Sequence, residues 1–91
     1  MSYLKLCQIS NNSIEVASYI EDAHGNVVVN NPNYPLELVC EVIDWIDEDA
    51  FQNQGKANSF TSEIVVLESA PENMREAVYQ QLKVKYPNLN K

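Results

Sequence analysis

The sequence predicts an α+β fold in which two helices pack on a mostly antiparallel four-stranded sheet, with the elements in the order β-β-β-α-β-α. Two observations lead to this prediction. The first part of the chain alternates apolar and polar residues between turn signals, which is typical of an antiparallel meander. The helical patterns come later, after proline-containing breaks, and this arrangement favours one sheet with helices on a face.

The meander is predicted to contain three strands. Residues 3–9 and 14–21 alternate apolar and polar side chains, with Glu21 expected on the solvent side. The asparagine pair between them suits a two-residue hairpin turn, because asparagine tolerates positive φ. Residues 22–25 (DAHG) are typical of a type I turn closed by a left-handed glycine. Residues 26–30 are then expected to return as a short third strand.

The first helix is predicted over residues 36–51 (LELVCEVIDWIDEDAF), with Gly55 as its left-handed stop. Acids recur there at steps of four, three and four, which places them on one helix face opposite the apolar residues. Leu38, Cys40 and Val42 also alternate as in a strand, so a strand is the alternative. The spacing of the acids favours the helix.

The last strand is predicted over residues 60–68, which carry apolar side chains on both faces. That pattern is typical of a strand in the middle of a sheet or under covers on both sides. Residues 69–72 (SAPE) are predicted to be a capping box that opens the second helix, and the helix is expected to end at Tyr86 before a proline. The apolar residues that it is expected to bury are Met74, Ala77, Val78 and Leu82. Residues 88–91 are expected to be a frayed tail of a single domain over residues 1–91.

Composition and charge limit the classes of function. The 91 residues are 45% hydrophobic and 21% charged, which suits one compact domain. Two cysteines without a secretion signal indicate reduced thiols and a cytoplasmic protein, and no apolar run is long enough for a membrane helix. The net charge is −7, and residues 1–55 hold nine acids but one base, Lys5. That field argues against binding nucleic acid and for binding a basic protein surface.

The residues capable of chemistry form no convincing catalytic or metal site. Nucleophilic catalysis would need Cys7 or Cys40 beside the only histidine, His24. Cys40 is expected on the apolar helix face, Cys7 in mid-strand and His24 in an exposed turn, so structural roles are favoured. The acids near residue 47 suit calcium or magnesium, but they project in different directions and no glycine folds a loop around an ion. The chain is therefore predicted not to be an enzyme, with no metal and no cofactor.

The predicted functional surface is the acidic end of the first helix. Acids in the last turns of a helix face the unfavourable end of the macrodipole, and residues that break a local rule in this way are candidates for function. Replacing acids there by lysine is accordingly expected to leave stability unchanged or to raise it. An aromatic anchor beside charges is typical of a protein-binding surface. The predicted partner-binding residues are Asp44, Trp45, Asp47, Glu48 and Asp49.

These observations predict a small, acidic, cytoplasmic interaction protein of accessory, immunity or inhibitor type, bacterial or phage-encoded, that presents an acidic helix to a basic partner. One alternative is a nucleic-acid mimic, whose carboxylates would occupy a site built for phosphates. The other is a small enzyme with its site at a subunit boundary, which a cavity holding Cys7 and His24 within hydrogen-bond reach would favour.

A homodimer is also predicted. Two helices on one face of the sheet leave the other face uncovered, and an apolar patch of that size favours association. The expected members of the patch are Tyr3, Ile9, Tyr19, Ile64 and Val66. The dimer is expected to form through this face or along a strand edge.

Overall fold

The computed structural model describes residues 2–12, 19–29 and 32–91, in which one antiparallel four-stranded sheet is accompanied by two helices. The strands are β1 (Tyr3–Asn11), β2 (Tyr19–Glu21), β3 (Leu36–Trp45) and β4 (Ala57–Leu67), and the helices are α1 (Glu48–Gln52) and α2 (Met74–Leu82). In space the strands follow the order β2-β1-β3-β4. The predicted α+β class and the order β-β-β-α-β-α are confirmed, although other residues than predicted form some of the elements.

Residues 36–45 form the central strand β3, so the prediction of a helix over residues 36–51 is wrong for this part. β3 pairs with β1 on one side and with β4 on the other. Its side chains therefore alternate between two faces of the sheet. The face that we call the covered face carries Leu36, Leu38, Cys40 and Val42. The opposite face, which we call the open face, carries Glu37, Val39, Glu41 and Ile43.

The meander differs from the prediction in its turns and in its third strand. β1 continues to Asn11, which pairs with Leu38, so the predicted asparagine turn does not begin there. The predicted strand over residues 14–21 falls partly on residues 13–18, which lie outside the described residues. The prediction of a third strand is wrong for the described residues 26–29. Among them, Val27 alone forms a bridge, an isolated one to Glu21, and its side chain is 60% exposed. The turn is as predicted: Gly25 has a φ of 82°.

Helix α1 is a single short segment that follows β3. Phe51 is the residue of α1 that enters the protein interior. The left-handed residue after α1 is Gln54, with a φ of 51°, and not Gly55 as predicted. Gly55 still closes the helix, because its N–H donates to the carbonyl of Ala50 at 2.6 Å.

Helix α2 begins four residues later than the predicted capping box and ends at Leu82 instead of Tyr86. Its N-cap is Asn73, whose side chain accepts a hydrogen bond from the N–H of Glu76 at 2.9 Å. The predicted apolar stripe of the helix is confirmed: Val78 and Leu82 are buried, and the other two members pack against them while partly exposed. The stripe was predictable because it depends on spacing within the helix alone.

The main core lies on the covered face, between the sheet and α2. Its buried members are Leu6, Ile9, Ile20, Leu36, Leu38, Cys40, Val42, Val65, Leu67, Val78, Leu82 and Leu89. A small cluster on the open face consists of Cys7, Ile43 and Phe51. Because Phe51 belongs to α1, this helix covers one end of the open face, and no other helix of the described residues packs there.

A buried arginine joins α2 to the meander. Glu21, predicted to face solvent, is only 4% exposed and forms an ion pair with Arg75. Arg75 also donates hydrogen bonds to four backbone carbonyls, those of Leu6, Cys7, Asp22 and Lys91. With the bond from Nε to Glu21, each of the five guanidinium N–H groups has an acceptor.

The predicted fraying of residues 88–91 is wrong. Leu89 is 3% exposed and belongs to the main core. Asn90 pairs with β1: its N–H donates to the carbonyl of Leu4 at 2.7 Å, and its carbonyl accepts from the N–H of Leu6 at 2.9 Å. The outer side of β1 is thus occupied by β2 and by Asn90. The outer side of β4 has no such neighbour among the described residues.

Candidate functional site

Strand β4 carries apolar side chains on both faces, as predicted, but the described residues cover only one of those faces. Val65 and Leu67 are buried beneath α2, whereas Phe60, Ile64 and Val66 on the open face are 67%, 55% and 45% exposed. β4 is an edge strand and does not lie in the middle of the sheet. An apolar surface of this kind, which we call the open stripe, is typical of interaction sites. The open stripe consists of the exposed Phe60, Ile64 and Val66 and of the half-buried Val39, which lies opposite Ile64.

Two carboxylates border the open stripe on β3. Glu37 lies opposite Val66 and Glu41 lies opposite Ser62, so both acids share the open face with the stripe. Glu37 is exposed, and its carboxylate accepts a hydrogen bond from the side chain of Asn12. The open face therefore combines aliphatic surface with negative charge. Such a surface complements one that places lysine or arginine beside aliphatic side chains.

The outer edge of β4 lacks the usual protection of an exposed strand. Edge strands commonly carry lysine or proline, which hinders pairing with another chain. Within Ala57–Leu67 there is no proline, and the only charged residue is Glu63. Glu63 lies on the covered face, where Tyr86 and Lys85 donate hydrogen bonds to its carboxylate. These bonds lower the pKa of Glu63 and leave no uncompensated charge on the strand.

Two of the predicted partner-binding residues, Asp44 and Trp45, are consecutive in β3 and therefore point to opposite faces of the sheet. Trp45 packs on the open face, with its ring 5.9 Å from that of Phe51. Asp44 lies on the covered face, opposite Leu4. Within the described part of the chain, the buried atoms Asp44 Oδ1 and Trp45 Nε1 have no hydrogen-bond partner. The strand separates the carboxylate from the aromatic ring that was expected to act with it.

The other three predicted residues lie at the beginning of α1 and not at the end of a helix. Asp47 is the N-cap, and its Oδ1 accepts a hydrogen bond from the N–H of Ala50 at 2.8 Å. Glu48 and Asp49 occupy the first turn, where the helix dipole favours negative charge. These acids therefore obey the local rule that they were expected to break. Their contact with a partner stays a prediction.

Cys7 and His24 line the same cavity, of about 280 Å³, together with Trp45 and Phe51. The Cys7 side chain is fully buried, and burial raises the pKa of its thiol. Its Sγ donates a weak hydrogen bond to the carbonyl of Lys5 at 3.6 Å, and the His24 ring packs 5.7 Å from that of Phe51. Because the thiolate is the nucleophilic form, a raised pKa argues against activation of Cys7.

The remaining chemical groups give no further candidate. Both cysteines are free, and burial raises the pKa of Cys40 to about 12. Across residues 2–12, 19–29 and 32–91, no three His, Cys, Asp or Glu side chains are grouped to hold a metal ion. In the same ranges, none of the helices has the length and apolar character needed to cross a membrane. The predictions of a cytoplasmic location and of no enzymatic activity stay predictions.

Comparison with protein-family models, with curated proteins and with solved structures finds no match to this chain. The function is therefore inferred from the surfaces of the molecule itself.

The predicted apolar patch is only partly formed. Ile64 and Val66 are exposed on the open face, as expected for members of the patch. Ile9 instead belongs to the main core, and Tyr3 packs against the small cluster. The side chain of Tyr19 lies outside the described part of the structure.

Sequence reasoning missed Phe60 and the edge of β4, which no other described strand pairs with. The signal that identifies both is the combination of apolar residues on two faces with a near absence of charge over eleven residues. A strand that is covered on both faces shows the same combination of residues in its sequence. Only the position of β4 at the end of the sheet distinguishes the two cases.

Proposed function

We propose that this chain is a small, non-enzymatic interaction protein that binds another protein through the open stripe. The exposure of Phe60, Ile64 and Val66, on a strand whose other face is packed against α2, carries the proposal. Burying exposed apolar side chains against a partner contributes about 25 cal/mol of binding free energy per Å² of apolar area removed from water. Such residues therefore favour contact with a partner.

The partner is a protein surface that combines aliphatic side chains with lysine or arginine. Glu37 and Glu41 lie beside the stripe, and the net charge of −7 adds a long-range attraction for cations. The exposed Glu48 and Asp49 of α1 lie on the same side of the sheet, because Phe51 anchors that helix to the open face. These acids accelerate the approach of a basic partner, and the acceleration falls as salt increases.

Affinity capture from the source cells tests the proposal, with the purified chain as bait and identification by mass spectrometry. Ile64→Lys places a positive charge in the centre of the stripe. Val84→Lys is the matched control, because Val84 is 86% exposed and lies outside the stripe. We expect Ile64→Lys to lose the partner and Val84→Lys to retain it. With the partner purified, Ile64→Lys is expected to weaken affinity by about tenfold or more.

A further variant separates the stripe from the acids of α1. Asp49→Lys changes an exposed residue that does not cap the helix. We expect it to slow association and to reduce the salt dependence of binding, with a smaller loss of affinity than Ile64→Lys. If Asp49→Lys loses the partner and Ile64→Lys retains it fully, the contact lies on α1, and the open stripe is refuted as the binding surface.

A further inference from the structure

We propose that the outer edge of β4 pairs in antiparallel orientation with β4 of a second copy, which joins two four-stranded sheets into one of eight strands. This inference goes beyond the proposed function, because it concerns the backbone edge of β4, although Phe60 and Ile64 of the open stripe also face one another across that edge. The two edges of the sheet differ in a way that points to β4. At the other edge, β2 spans only three residues, and the carbonyl of its Ile20 accepts a hydrogen bond from the N–H of Val28 at 2.8 Å, whereas β4 spans eleven residues and no described strand lies outside it.

The edge of β4 is accessible to an incoming strand. It extends over eleven residues, of which most are exposed, and a bulge at its start leaves Ser59–Leu67 regularly paired with β3. The exposed side chain of Gln81 donates a long hydrogen bond of 3.5 Å to the carbonyl of Val66. A strand from a second copy can replace this contact with a main-chain hydrogen bond.

The distribution of charge favours this edge for the association of two acidic molecules. A net charge of −7 on each copy opposes self-association over most of the surface. β4 carries one charge, Glu63, and the hydrogen bonds from Lys85 and Tyr86 compensate it on the covered face. Two β4 strands therefore approach one another without an uncompensated charge between them.

The sequence of β4 favours one register. Ser62 is the middle residue of Ala57–Leu67, so a two-fold axis through it aligns the full length of both strands. In this register Phe60 lies opposite the partner's Ile64, and the same pair recurs on the other side of the axis. Aromatic residues opposite β-branched residues are favourable cross-strand pairs.

The flanking charges agree with the same register. Lys56 precedes β4 and Glu68 follows it, and both are exposed. Antiparallel pairing about Ser62 brings Lys56 towards the partner's Glu68 at each end of the ladder. Glu63 then faces the partner's Thr61 and not another Glu63. Opposite charges at both ends, with no like charges in the middle, select a second copy of this chain as the occupant.

Sedimentation and light scattering from about 1 μM to about 100 μM measure the monomer–dimer equilibrium over a range that includes micromolar affinities. Phe60→Lys and Ile64→Glu each alter two cross-strand pairs, because the axis repeats every contact. We expect each single variant to weaken dimerisation by about tenfold or more. The double variant Phe60→Lys/Ile64→Glu is expected to restore it, since each lysine then faces the partner's glutamate. Val84→Lys is expected to behave as the unaltered chain.

Hydrogen exchange provides an independent measurement of the edge. Amides of β4 that point outward are expected to become protected as the concentration rises, since they donate to the second copy. A chain that stays monomeric at about 100 μM overturns the proposal. A dimer without protection of β4 amides, or a double variant no better than the single variants, overturns it as well. The double variant changes two residues of the open stripe. If it dimerises again but no longer captures the partner protein, dimerisation and partner binding are shown to be separate properties.

Discussion

At the scale of single residues, Arg75 is the point where α2, β1, the turn after β2 and Lys91 meet. It is the only arginine of the chain, and it is 8% exposed. A guanidinium suits this position because its planar array of five donors reaches acceptors in several directions while remaining charged. Lysine offers a single ammonium group, which cannot reach the same acceptors together.

We predict that Arg75→Lys lowers the free energy of unfolding by about 2–4 kcal/mol, because it leaves buried carbonyls and the buried Glu21 without donors. Urea unfolding followed by circular dichroism measures the change. Lys56→Arg, the reverse exchange at an exposed position, is the control and is expected to change stability by less than about 0.5 kcal/mol. An equally small change for Arg75→Lys would show that the network contributes little to stability.

At the scale of elements, the reversed polarity of α1 changes what its acids do. Asp47 was expected near the end of a long helix, where lysine would be neutral or stabilising. It is instead the N-cap of a five-residue helix. The cap matters because α1 positions Phe51, which closes the small cluster over Cys7 and Ile43.

We predict that Asp47→Lys lowers the free energy of unfolding by about 1–2 kcal/mol, through loss of the cap and a positive charge at the wrong end of the dipole. Asp47→Asn keeps an oxygen acceptor in the same place and is expected to be nearly neutral. Thermal unfolding compares the two variants. Equal melting temperatures for Asp47→Lys and the unaltered chain would contradict the role of the cap.

The sequence predicts the apolar stripe of α2, because the stripe depends on local spacing. The predicted order of elements agrees with the fold because β3, over residues 36–45, takes the place of the strand predicted over residues 26–30. It does not distinguish the two periods present in residues 36–45, where Leu36, Cys40 and Ile43 fit a helix and Leu36, Leu38 and Cys40 fit a strand. The outcome depends on pairing with β1 and β4, which are distant in the chain. The error in the candidate site follows directly, since the acids were assigned to a helix end that does not exist.

At the scale of the whole molecule, acid stability depends on carboxylates that gain partners in the folded state. Hydrogen bonds from Tyr86, and then from Lys85, lower the pKa of Glu63 below its ordinary value of 4.5. A lowered pKa means that the folded state binds the proton less readily than the unfolded state. Glu63 therefore stabilises the fold above about pH 4.5, and this contribution is lost as the pH falls through the lowered pKa.

We predict that the free energy of unfolding declines as the pH falls below about 4.5, and that Tyr86→Phe makes this decline shallower. The hydrogen bond from Tyr86 is the largest cause of the lowered pKa of Glu63, so removing the Tyr86 hydroxyl brings that pKa closer to the ordinary value. Tyr34→Phe is the matched control, because Tyr34 also packs against the main core. Chemical unfolding at several pH values gives the slopes. Identical slopes for both variants would refute the role of Glu63.

The pairing of Asn90 with β1 also has a consequence for the order in which the molecule folds. The side chain of Asn90 donates to the carbonyl of Leu4, a contact between residues 86 positions apart in the chain. Contacts of such large sequence separation form late, because the entropy of closing a long loop must be overcome first. During synthesis β1 emerges before β2 and β3, which pair with it, and Asn90 emerges much later than either strand. The part of the outer side of β1 that pairs with Asn90 therefore stays without this partner until almost all of the described residues have left the ribosome.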